Sequence, residues 1–316
     1  MSRILVTGVG GAAGIAAVTH LKKKGHFVLG VDCKEYSPGF LLADEQALVP
    51  CACAKDFISQ LFLICNKNKI DIIIPTVDEE LKTCSENKEF FKNHGIVIMV
   101  SHIDTIENCL NKYKFYEKMK ENNIAVARTW VLNDTLKVER IPLPVIAKPI
   151  TGRGGRGIII VRTRAELVKL MHERNHYIIQ EFFNGIEYSV DTLSDLNGKA
   201  IVAVPRKRLE IKSGVCSRGC TDQHKGIIVE SMRAVEAVGM IGPACLQLIL
   251  TENGEIKIFE LNPRIGGTVS LSIHAGVDIL NLTIKLLKNE TITEEELIFH
   301  KKYISRYFSE VFFDIE

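Results

Sequence analysis

Residues 247–264 read QLILTENGEIKIFELNPR, and this stretch decides the fold of the second half of the chain. Two apolar runs flank Asn253 and Gly254, a pair that strongly predicts a β-hairpin closed by a two-residue type I′ turn. Three cross-strand pairs follow from that register: Glu252 with Glu255, Ile249 with Ile258, and Gln247 with Glu260. We therefore predict a hairpin that brings polar side chains face to face several residues from its turn.

The polar end of this hairpin carries the side chains expected of a magnesium site. Because side chains alternate along a strand, Asn262 shares a face with Glu260, and Gln247 lies opposite, with Cβ atoms about 4.5–5.5 Å apart. Mg²⁺ takes one or two carboxylates together with phosphate oxygens and water. Arg264 adds donors that can stabilise charge on a transferring phosphoryl group. A solvated polar hairpin end is the alternative interpretation.

A glycine-rich loop lies upstream, between two predicted strands. Lys148 ends an apolar strand, and residues 151–157 then read TGRGGRG before the next strand begins. Such a loop exposes backbone amides that can close over phosphates, and Lys148 can neutralise phosphate charge. The strand-to-strand position differs from that of a P-loop, which leads into a helix. A hairpin loop without a ligand is the alternative interpretation.

A second glycine turn, residues 8–13, reads GVGGAA between a predicted strand and a predicted helix, and Asp32 ends the following strand. This G-x-G-x-x-G/A pattern with a downstream carboxylate is found in dinucleotide sites, so a nicotinamide-dependent oxidoreductase is one interpretation. Close packing of strand against helix is another. A small anionic substrate at the helix N-terminus is a third, because free amides there attract negative charge.

The order of the predicted elements gives the fold class. Strands and helices alternate through the first hundred residues, which predicts a doubly wound parallel α/β sheet, with one helix over 79–93. From about residue 128 strand-like runs are joined mainly by turns, which favours antiparallel α+β modules, and 303–315 is a candidate final strand. We predict three units: 1–109, 110–185 and 186–316.

Composition excludes several classes of protein. The 316 residues are 46% hydrophobic and 25% charged with a net charge of +2, so no bulk field attracts nucleic acid or a membrane surface. The nine cysteines are scattered and have no zinc-finger spacing, which predicts reduced thiols. The N-terminus lacks signal-peptide order and no run reaches about 18 apolar residues, so we expect a cytoplasmic protein without a membrane span.

Taken together, these motifs resemble the ATP-grasp superfamily along nearly the whole chain. The likeness is greatest to a single synthetase module of the carbamoyl phosphate synthetase large subunit and to biotin carboxylase. The residues that carry it occur in one order: Lys112, Lys148, the glycine loop, Glu181-Phe182-Phe183, Glu187, Gln247, Glu260, Asn262 and Arg264. The first module, with its glycine turn and the stretch IPTVDEE at residues 74–80, looks like a pre-ATP-grasp domain.

The resemblance implies a role for each of these residues. Lys112, Lys148 and the loop glycines with Arg153 would bind ATP phosphates, Glu181 to Phe183 the adenine, and Glu187 the ribose. Two metal ions, Mg²⁺ or Mn²⁺, would be held by the three hairpin side chains, and Arg264 would stabilise the transition state. The loop residues concerned are Gly152, Arg153, Gly154 and Gly155. Gln247 stands where many family members have a carboxylate, although the synthetase modules share this glutamine.

The chemistry implied is activation of a carboxylate by ATP to an acyl phosphate, followed by attack of an amine or another nucleophile. Arg206 and Arg208 lie two residues apart on a predicted strand and are candidate contacts for an acidic substrate or for the γ-phosphate, with a solvated edge strand as the alternative interpretation. Gly266 is a further candidate substrate contact. A homodimer is common among the proteins it resembles. Two other functions remain open here: a nucleotide-binding subunit that needs a partner, and the nicotinamide-dependent oxidoreductase.

Overall fold

The computed structural model describes residues 1–133, 136–152, 155–173, 176–212 and 214–314. Arg153 and Gly154, two of the residues predicted to contact phosphates, lie outside these described residues. The described residues form three β-sheets of five, six and four strands. The first is parallel and the other two are antiparallel, as the order of elements predicted.

The first sheet has the strand order β3-β2-β1-β4-β5. Its strands are β1 (Arg3–Thr7), β2 (Phe27–Asp32), β3 (Glu45–Leu48), β4 (Ile72–Ile74) and β5 (Val97–Ile98). Its helices are α1 (Ala12–Lys23), α2 (Gly39–Leu42), α3 (Phe57–Lys67), α4 (Asp78–Glu86), α5 (Lys88–Lys92) and α6 (Ile103–Leu110). The order reverses between β1 and β4, and ligands of such sheets bind at the carboxyl ends of the strands at that point.

The single helix predicted over 79–93 is wrong, because the structure has α4 and α5 with a break at Asn87. The Asn87 side-chain amide donates a hydrogen bond to the Thr83 carbonyl oxygen, 2.9 Å away. Asparagine competes in this way with backbone hydrogen bonding and so disfavours a helix interior. Leu81, Cys84 and Phe91 keep helical spacing across the break, and periodicity therefore did not reveal it.

The four-stranded sheet has the order β6-β9-β7-β8. Its elements are β6 (Thr129–Val131), a 3₁₀ turn (Val138–Arg140), β7 (Val145–Pro149), β8 (Ile159–Val161), α8 (Arg164–Glu173) and β9 (Tyr177–Glu181). The preceding helix α7 (Lys112–Glu121) instead packs through Phe115 and Met119 into the core of the six-stranded sheet. The unit boundaries at 109 and 185 stay a prediction.

The six-stranded sheet has the order β14-β13-β10-β11-β12-β15. Its strands are β10 (Gly185–Ser194), β11 (Ala200–Lys212), β12 (Val215–Thr221), β13 (Gly242–Thr251), β14 (Ile256–Asn262) and β15 (Tyr303–Ser305). The accompanying helices are α9 (Lys225–Ala237), α10 (Val269–Ala275), α11 (Ile279–Leu287) and a 3₁₀ turn (Glu294–Leu297). Separate apolar clusters cover its two faces. One of them includes Ala16 of α1, which joins this sheet to the first.

The predicted final strand over 303–315 is also shorter than expected. The paired segment is Tyr303–Ser305, and the Arg306 amide adds one hydrogen bond to the Ser217 carbonyl oxygen of β12 before the chain leaves the sheet edge. Tyr307 and Phe308 are 87% and 94% exposed, and within the described part of the chain no strand pairs with them. In the described residues no single helix has the length and apolar composition to cross a membrane; α10 and α11 pass that test only as a pair, bent by 89°.

Candidate functional site

A cleft of about 690 Å³ is lined by residues from all three sheets. The parallel sheet contributes the glycine turn after β1, with Thr76 and Val77 after β4. The four-stranded sheet contributes Lys148 and the end of β9, and the six-stranded sheet contributes the inner part of the hairpin. Of the predicted site residues, the cleft lining includes Lys148, Gly155, Glu181, Phe183, Glu187, Arg206, Arg208, Gln247, Glu260, Asn262, Arg264 and Gly266.

The hairpin of β13 and β14 places Gln247 opposite Glu260, as predicted, but the turn and the residue pairs next to it differ from the prediction. The turn is not a two-residue type I′ turn. The Gly254 backbone amide donates a hydrogen bond to the Thr251 carbonyl oxygen, and the Thr251 amide donates one to the Glu255 carbonyl oxygen. Gly254 alone is left-handed, with φ of +79°, which fits a three-residue loop of a type I turn plus a bulge. The predicted Glu252–Glu255 pair is therefore wrong.

A β-bulge in β14 restores the predicted pairing of Gln247 with Glu260. Near the turn the strands are offset by one residue, so Ile249 faces Lys257 and not Ile258. The register then shifts between Gln247 and Leu248, which leaves Phe259 as the extra residue of β14. A bulge of this kind turns two successive side chains toward one side. Phe259 and Glu260 accordingly both line the cleft.

The three predicted metal ligands lie together at the end of this hairpin. Gln247 pairs with Glu260, and Cys245 pairs with Asn262. Asn262 is 8% exposed, and its side-chain amide donates to the Cys245 carbonyl oxygen over 3.3 Å. That hydrogen bond fixes the amide plane and leaves the Asn262 oxygen as the group that can face a ligand.

This donor set fits Mg²⁺ bound together with a nucleotide. One carboxylate and two amide oxygens are hard oxygen ligands, and phosphate oxygens and water would complete the coordination. In the described residues no group of three histidine, cysteine, aspartate or glutamate side chains forms an alternative metal site. A single carboxylate supplies little negative charge, so we expect metal affinity here to depend on the nucleotide phosphates.

Two lysines lie beside the hairpin. Lys148 is 4% exposed, and its ammonium lies 5.2 Å from the centroid of the Phe259 ring. Burial lowers the pKa of Lys148 to about 8, Glu260 opposes that change, and the charge of Lys112 adds to it. Lys112 donates to the Gly152 carbonyl oxygen over 2.9 Å, so it ties down the start of the glycine loop. Lys112, Lys148, Gly152 and Glu260 share a small cavity of about 30 Å³.

The predicted adenine side is formed by the end of β9. Glu181 and Phe183 line the cleft, whereas Phe182 is not in its lining. The Glu181 carboxylate accepts from the Arg128 amide over 3.1 Å, which holds it at the rim. The ammonium of Lys257 lies 5.6 Å from the Phe183 ring centroid. Apolar and aromatic surface at this end suits a stacked base, with polar atoms at its edge.

The two predicted substrate arginines are each paired with a carboxylate. Arg208 donates to Glu187, the predicted ribose ligand, and to the Gly214 carbonyl oxygen, 2.8 Å away. Arg206, 2% exposed, donates to the buried Asp191, which Ser272 also contacts at 2.6 Å. Burial opposes the charge on Arg206, yet Asp191 raises its pKa above the usual value. The Nε atoms of both guanidinium groups find no acceptor within the described residues.

The N-terminal glycine turn also lines the cleft, near Gly267, where a Cβ atom would lie 3.4 Å from that of Ala12. The Gly10 amide donates to the Asp32 carboxylate over 2.7 Å, and the Lys34 amide donates to the same side chain over 3.0 Å. A dinucleotide would use this amide and this carboxylate for separate groups. Because the Gly10 amide and the Asp32 carboxylate are hydrogen-bonded to each other, the geometry does not favour the dinucleotide interpretation.

Sequence reasoning missed Asp78, the partner of Arg264. The Arg264 Nε and Nη2 atoms donate to the two Asp78 oxygens over 2.7 and 2.8 Å. It also missed Asp191 beneath Arg206. The available signal for Asp78 was a run of acidic residues directly after a buried strand, at the sheet edge where ligands bind. Nothing in the sequence linked that run to Arg264, 186 residues away.

Comparison with known proteins identifies the family. Residues 109–268 match the model of the ATP-grasp domain, and residues 4–99 match that of the PylC-like N-terminal domain. The carbamoyl phosphate synthase large chain of Methanosarcina mazei is 26% identical over 258 residues, which cover 73% of this chain and 24% of that protein. The chain thus spans about a quarter of the length of the curated relatives it matches.

Solved structures share the fold. A biotin carboxylase from Campylobacter jejuni superposes with a TM-score of 0.77 at 17% identity, covering 96% of this chain and 74% of that one. An L-amino acid ligase from Bacillus licheniformis gives a TM-score of 0.73 at 16% identity, covering 95% and 78%. The first of these was solved as a complex with a nucleotide analogue. With half its length matched by the family model, this chain belongs to the ATP-grasp family.

Proposed function

We propose that this chain is an ATP- and Mg²⁺-dependent ligase that activates a carboxylate as an acyl phosphate and transfers the acyl group to an amine or another nucleophile. One observation supports this above the others: Gln247 and Glu260 face each other, with Asn262 beside them, in a cleft that also contains Lys148 and Arg264.

Each side chain would have a distinct task. Lys148 and Lys112 would neutralise the nucleotide phosphates, and Glu181, Phe183 and Glu187 would hold the base and the ribose. Mg²⁺, held by the hairpin side chains, would polarise the phosphates and orient them for in-line transfer. Arg264 would stabilise the charge on the phosphoryl group as the carboxylate attacks it. ADP leaves, and the nucleophile then displaces phosphate from the acyl phosphate.

The substrate carboxylate would bind at the arginine end of the cleft. Arg206 and Arg208 both line the cleft and are held in place by Asp191 and Glu187. Gly266 allows the backbone to lie close to Arg206, because a Cβ atom at this position would be 3.1 Å from the Arg206 Nη2 atom. A guanidinium at the wall of a cleft suits a carboxylate, because the hydrogen bonds between them are charge-assisted.

The test is ADP release from MgATP in the presence of bicarbonate or single amino acids, each with and without an added amine. We expect release that depends on a carboxylate, and a loss of at least about a hundredfold in kcat for Glu260→Ala, because the metal loses its only charged protein ligand. Glu252→Gln, at the exposed tip of the same hairpin, is the matched control and should keep full activity. Wild-type turnover in folded Glu260→Ala would refute the metal assignment.

The same assay separates the alternative of a partner-dependent subunit. A chain that binds MgADP tightly but releases no ADP with any carboxylate would point to a missing partner, which is a real alternative because the relatives are about four times longer. Tight binding of a nicotinamide cofactor without MgATP would instead favour an oxidoreductase.

A further inference from the structure

Arg264, two residues after the end of β14, forms an ion pair with a residue of the parallel-sheet unit. Its guanidinium makes a two-point hydrogen-bonded ion pair with Asp78, the first residue of α4 in the parallel-sheet unit. The two side chains are 14% and 11% exposed, so water screens the pair little. Paired hydrogen bonds of this type fix the orientation of a guanidinium as well as its position.

We propose that Asp78 is a positioning residue, which aims the Arg264 guanidinium at the phosphoryl group transferred in the cleft. This inference rests on the proposed ligase function. It assigns to the parallel-sheet unit a direct part in the chemistry of the hairpin, which belongs to a different sheet.

The hydrogen bonds of Arg264 show which donors remain for a ligand. Nε and one Nη2 hydrogen are used by Asp78, and Nη1 donates to the Ile265 carbonyl oxygen over 3.0 Å. The other Nη2 hydrogen reaches the Asn262 oxygen only over a long 3.4 Å contact. A guanidinium has five N–H donors. Within the described residues the second Nη1 hydrogen has no acceptor, so this hydrogen and the weakly held Nη2 hydrogen remain for a phosphoryl oxygen.

Asp78 is itself held rigidly. It begins α4, where the helix dipole favours a negative charge. Two residues later, the Glu80 carboxylate accepts hydrogen bonds from the Thr76 and Val77 amides, both 2.9 Å away, and closes the first turn of the helix. Thr76 and Val77 line the cleft, so the segment that carries Asp78 is also a wall of the site.

A purely structural ion pair is a weaker explanation. A buried ion pair often contributes little net stability, because desolvation offsets its Coulomb attraction, and apolar side chains can replace it. Arg264 lines the cleft, and an arginine side chain stays charged in proteins. A group kept charged at the edge of a ligand cleft, with donors to spare, is arranged to meet an anion.

The first experiment compares Asp78→Asn with Glu79→Gln, an equal change of charge at the next residue, which is exposed. We expect Asp78→Asn to lower kcat for ADP release about 10- to 100-fold while KM for ATP changes less than about twofold, because the nucleotide sits on other residues. Glu79→Gln should retain wild-type kcat. An unchanged kcat in folded Asp78→Asn, or an equal fall in Glu79→Gln, would overturn the proposal.

A second measurement needs no turnover: the Kd of inorganic phosphate for the MgADP complex, by calorimetry. We expect phosphate to bind about tenfold more weakly to Asp78→Asn, with the Kd of MgADP unchanged. If wild type releases no ADP with any carboxylate, the ligase proposal fails, and the phosphate Kd alone decides the role of Asp78; equal phosphate affinity in both proteins would then overturn it.

If Asp78→Asn does not fold, Asp78→Glu replaces it in both measurements. This variant keeps the charge but shifts the carboxylate by one methylene, about 1.5 Å. Positioning predicts a folded protein with reduced kcat and weaker phosphate binding, because the guanidinium is displaced. Full activity and full phosphate affinity of Asp78→Glu would show that only a negative charge is needed and would overturn the proposal.

Discussion

The glycine turn after β1 is closed by its neighbours, whereas the glycine loop after β7 is open at Gly152 and Gly155. A Cβ atom on Gly8 would lie 2.3 Å from the Val77 side chain, and one on Gly14 would lie 2.4 Å from the Gly8 carbonyl oxygen. Among the described residues, a Cβ atom on Gly152 would meet nothing within 4 Å, and one on Gly155 would meet only Ile158, at 3.8 Å. Similar glycine patterns therefore serve close packing in one place and leave room for a ligand in the other.

The largest expected effect comes from Gly14→Ala, which tests the closed turn. In an ordinary helix interior this change would stabilise by about 1 kcal/mol. Here the new methyl group meets backbone atoms of residues 8 and 9 at 2.4–2.8 Å, so α1 must move away from β1. We expect a loss of at least about 3 kcal/mol in the free energy of unfolding, measured by urea denaturation.

Two matched variants keep this test specific. Gly11→Ala, in the same turn, places its Cβ atom 3.4 Å from the Gly8 carbonyl oxygen at an ordinary φ of −95°, and should cost less than about 1 kcal/mol. Gly155→Ala tests the open loop and should cost only about 1 kcal/mol, from its φ of +70°. Similar losses for Gly14→Ala and Gly155→Ala would remove the contrast between the two regions.

This contrast marks what the sequence could and could not predict. The strand-turn-helix and strand-loop-strand settings of the two glycine runs were both predicted correctly, because apolar periodicity defines the flanking elements. Whether a glycine is packed or open depends on contacts with distant segments. Val77, which closes the first turn, is 69 residues from Gly8, and no local pattern predicts that contact.

The β13–β14 hairpin also shows that contacts with distant segments escape prediction from local sequence. The pairing of Gln247 with Glu260 was predicted, but from a turn type that the structure does not have. The three-residue loop and the bulge at Phe259 compensate each other, so the inner register is unchanged. Next to the bulge, the Ile258 backbone forms hydrogen bonds with residues 125 and 127. This segment is distant in sequence, so the local pattern of the hairpin does not predict the contact.

The next effect in size concerns Glu80, which anchors the closed turn. Its carboxylate accepts from the hydroxyl of Thr7, the residue before Gly8, and from the Thr76 and Val77 amides. Burial raises the pKa of Glu80 to about 7, against the lowering effect of these hydrogen bonds. The folded state thus binds a proton more tightly than the unfolded state, and stability falls as the pH rises from about 4.5 to about 7.

Glu80→Gln removes this titration and keeps an oxygen acceptor. We expect the free energy of unfolding of the variant, relative to wild type, to rise by about 2 kcal/mol between pH 5 and pH 8. Urea denaturation at both pH values measures this difference directly. Glu79→Gln should show no such trend, and a constant offset between Glu80→Gln and wild type would mean that Glu80 does not titrate in this range.

The smallest effect tests the open side of the comparison, where Lys148 precedes the glycine loop. Because burial lowers the pKa of Lys148 to about 8, its charge is present at pH 7 and largely lost at pH 9. A neutral amine attracts phosphate far less, so we expect the affinity for MgADP to fall about tenfold between pH 7 and pH 9. Calorimetric titration at the two pH values measures the change.

Lys148→Arg is the decisive comparison, because a guanidinium keeps its charge throughout this range. The variant can bind MgADP more weakly than wild type at pH 7, since its fork differs in shape, but its affinity should change less than about twofold up to pH 9. The two titration curves then converge as the pH rises. A tenfold loss in both proteins would assign the pH dependence to another group or to the nucleotide, and a flat wild-type curve would show that Lys148 remains charged at pH 9.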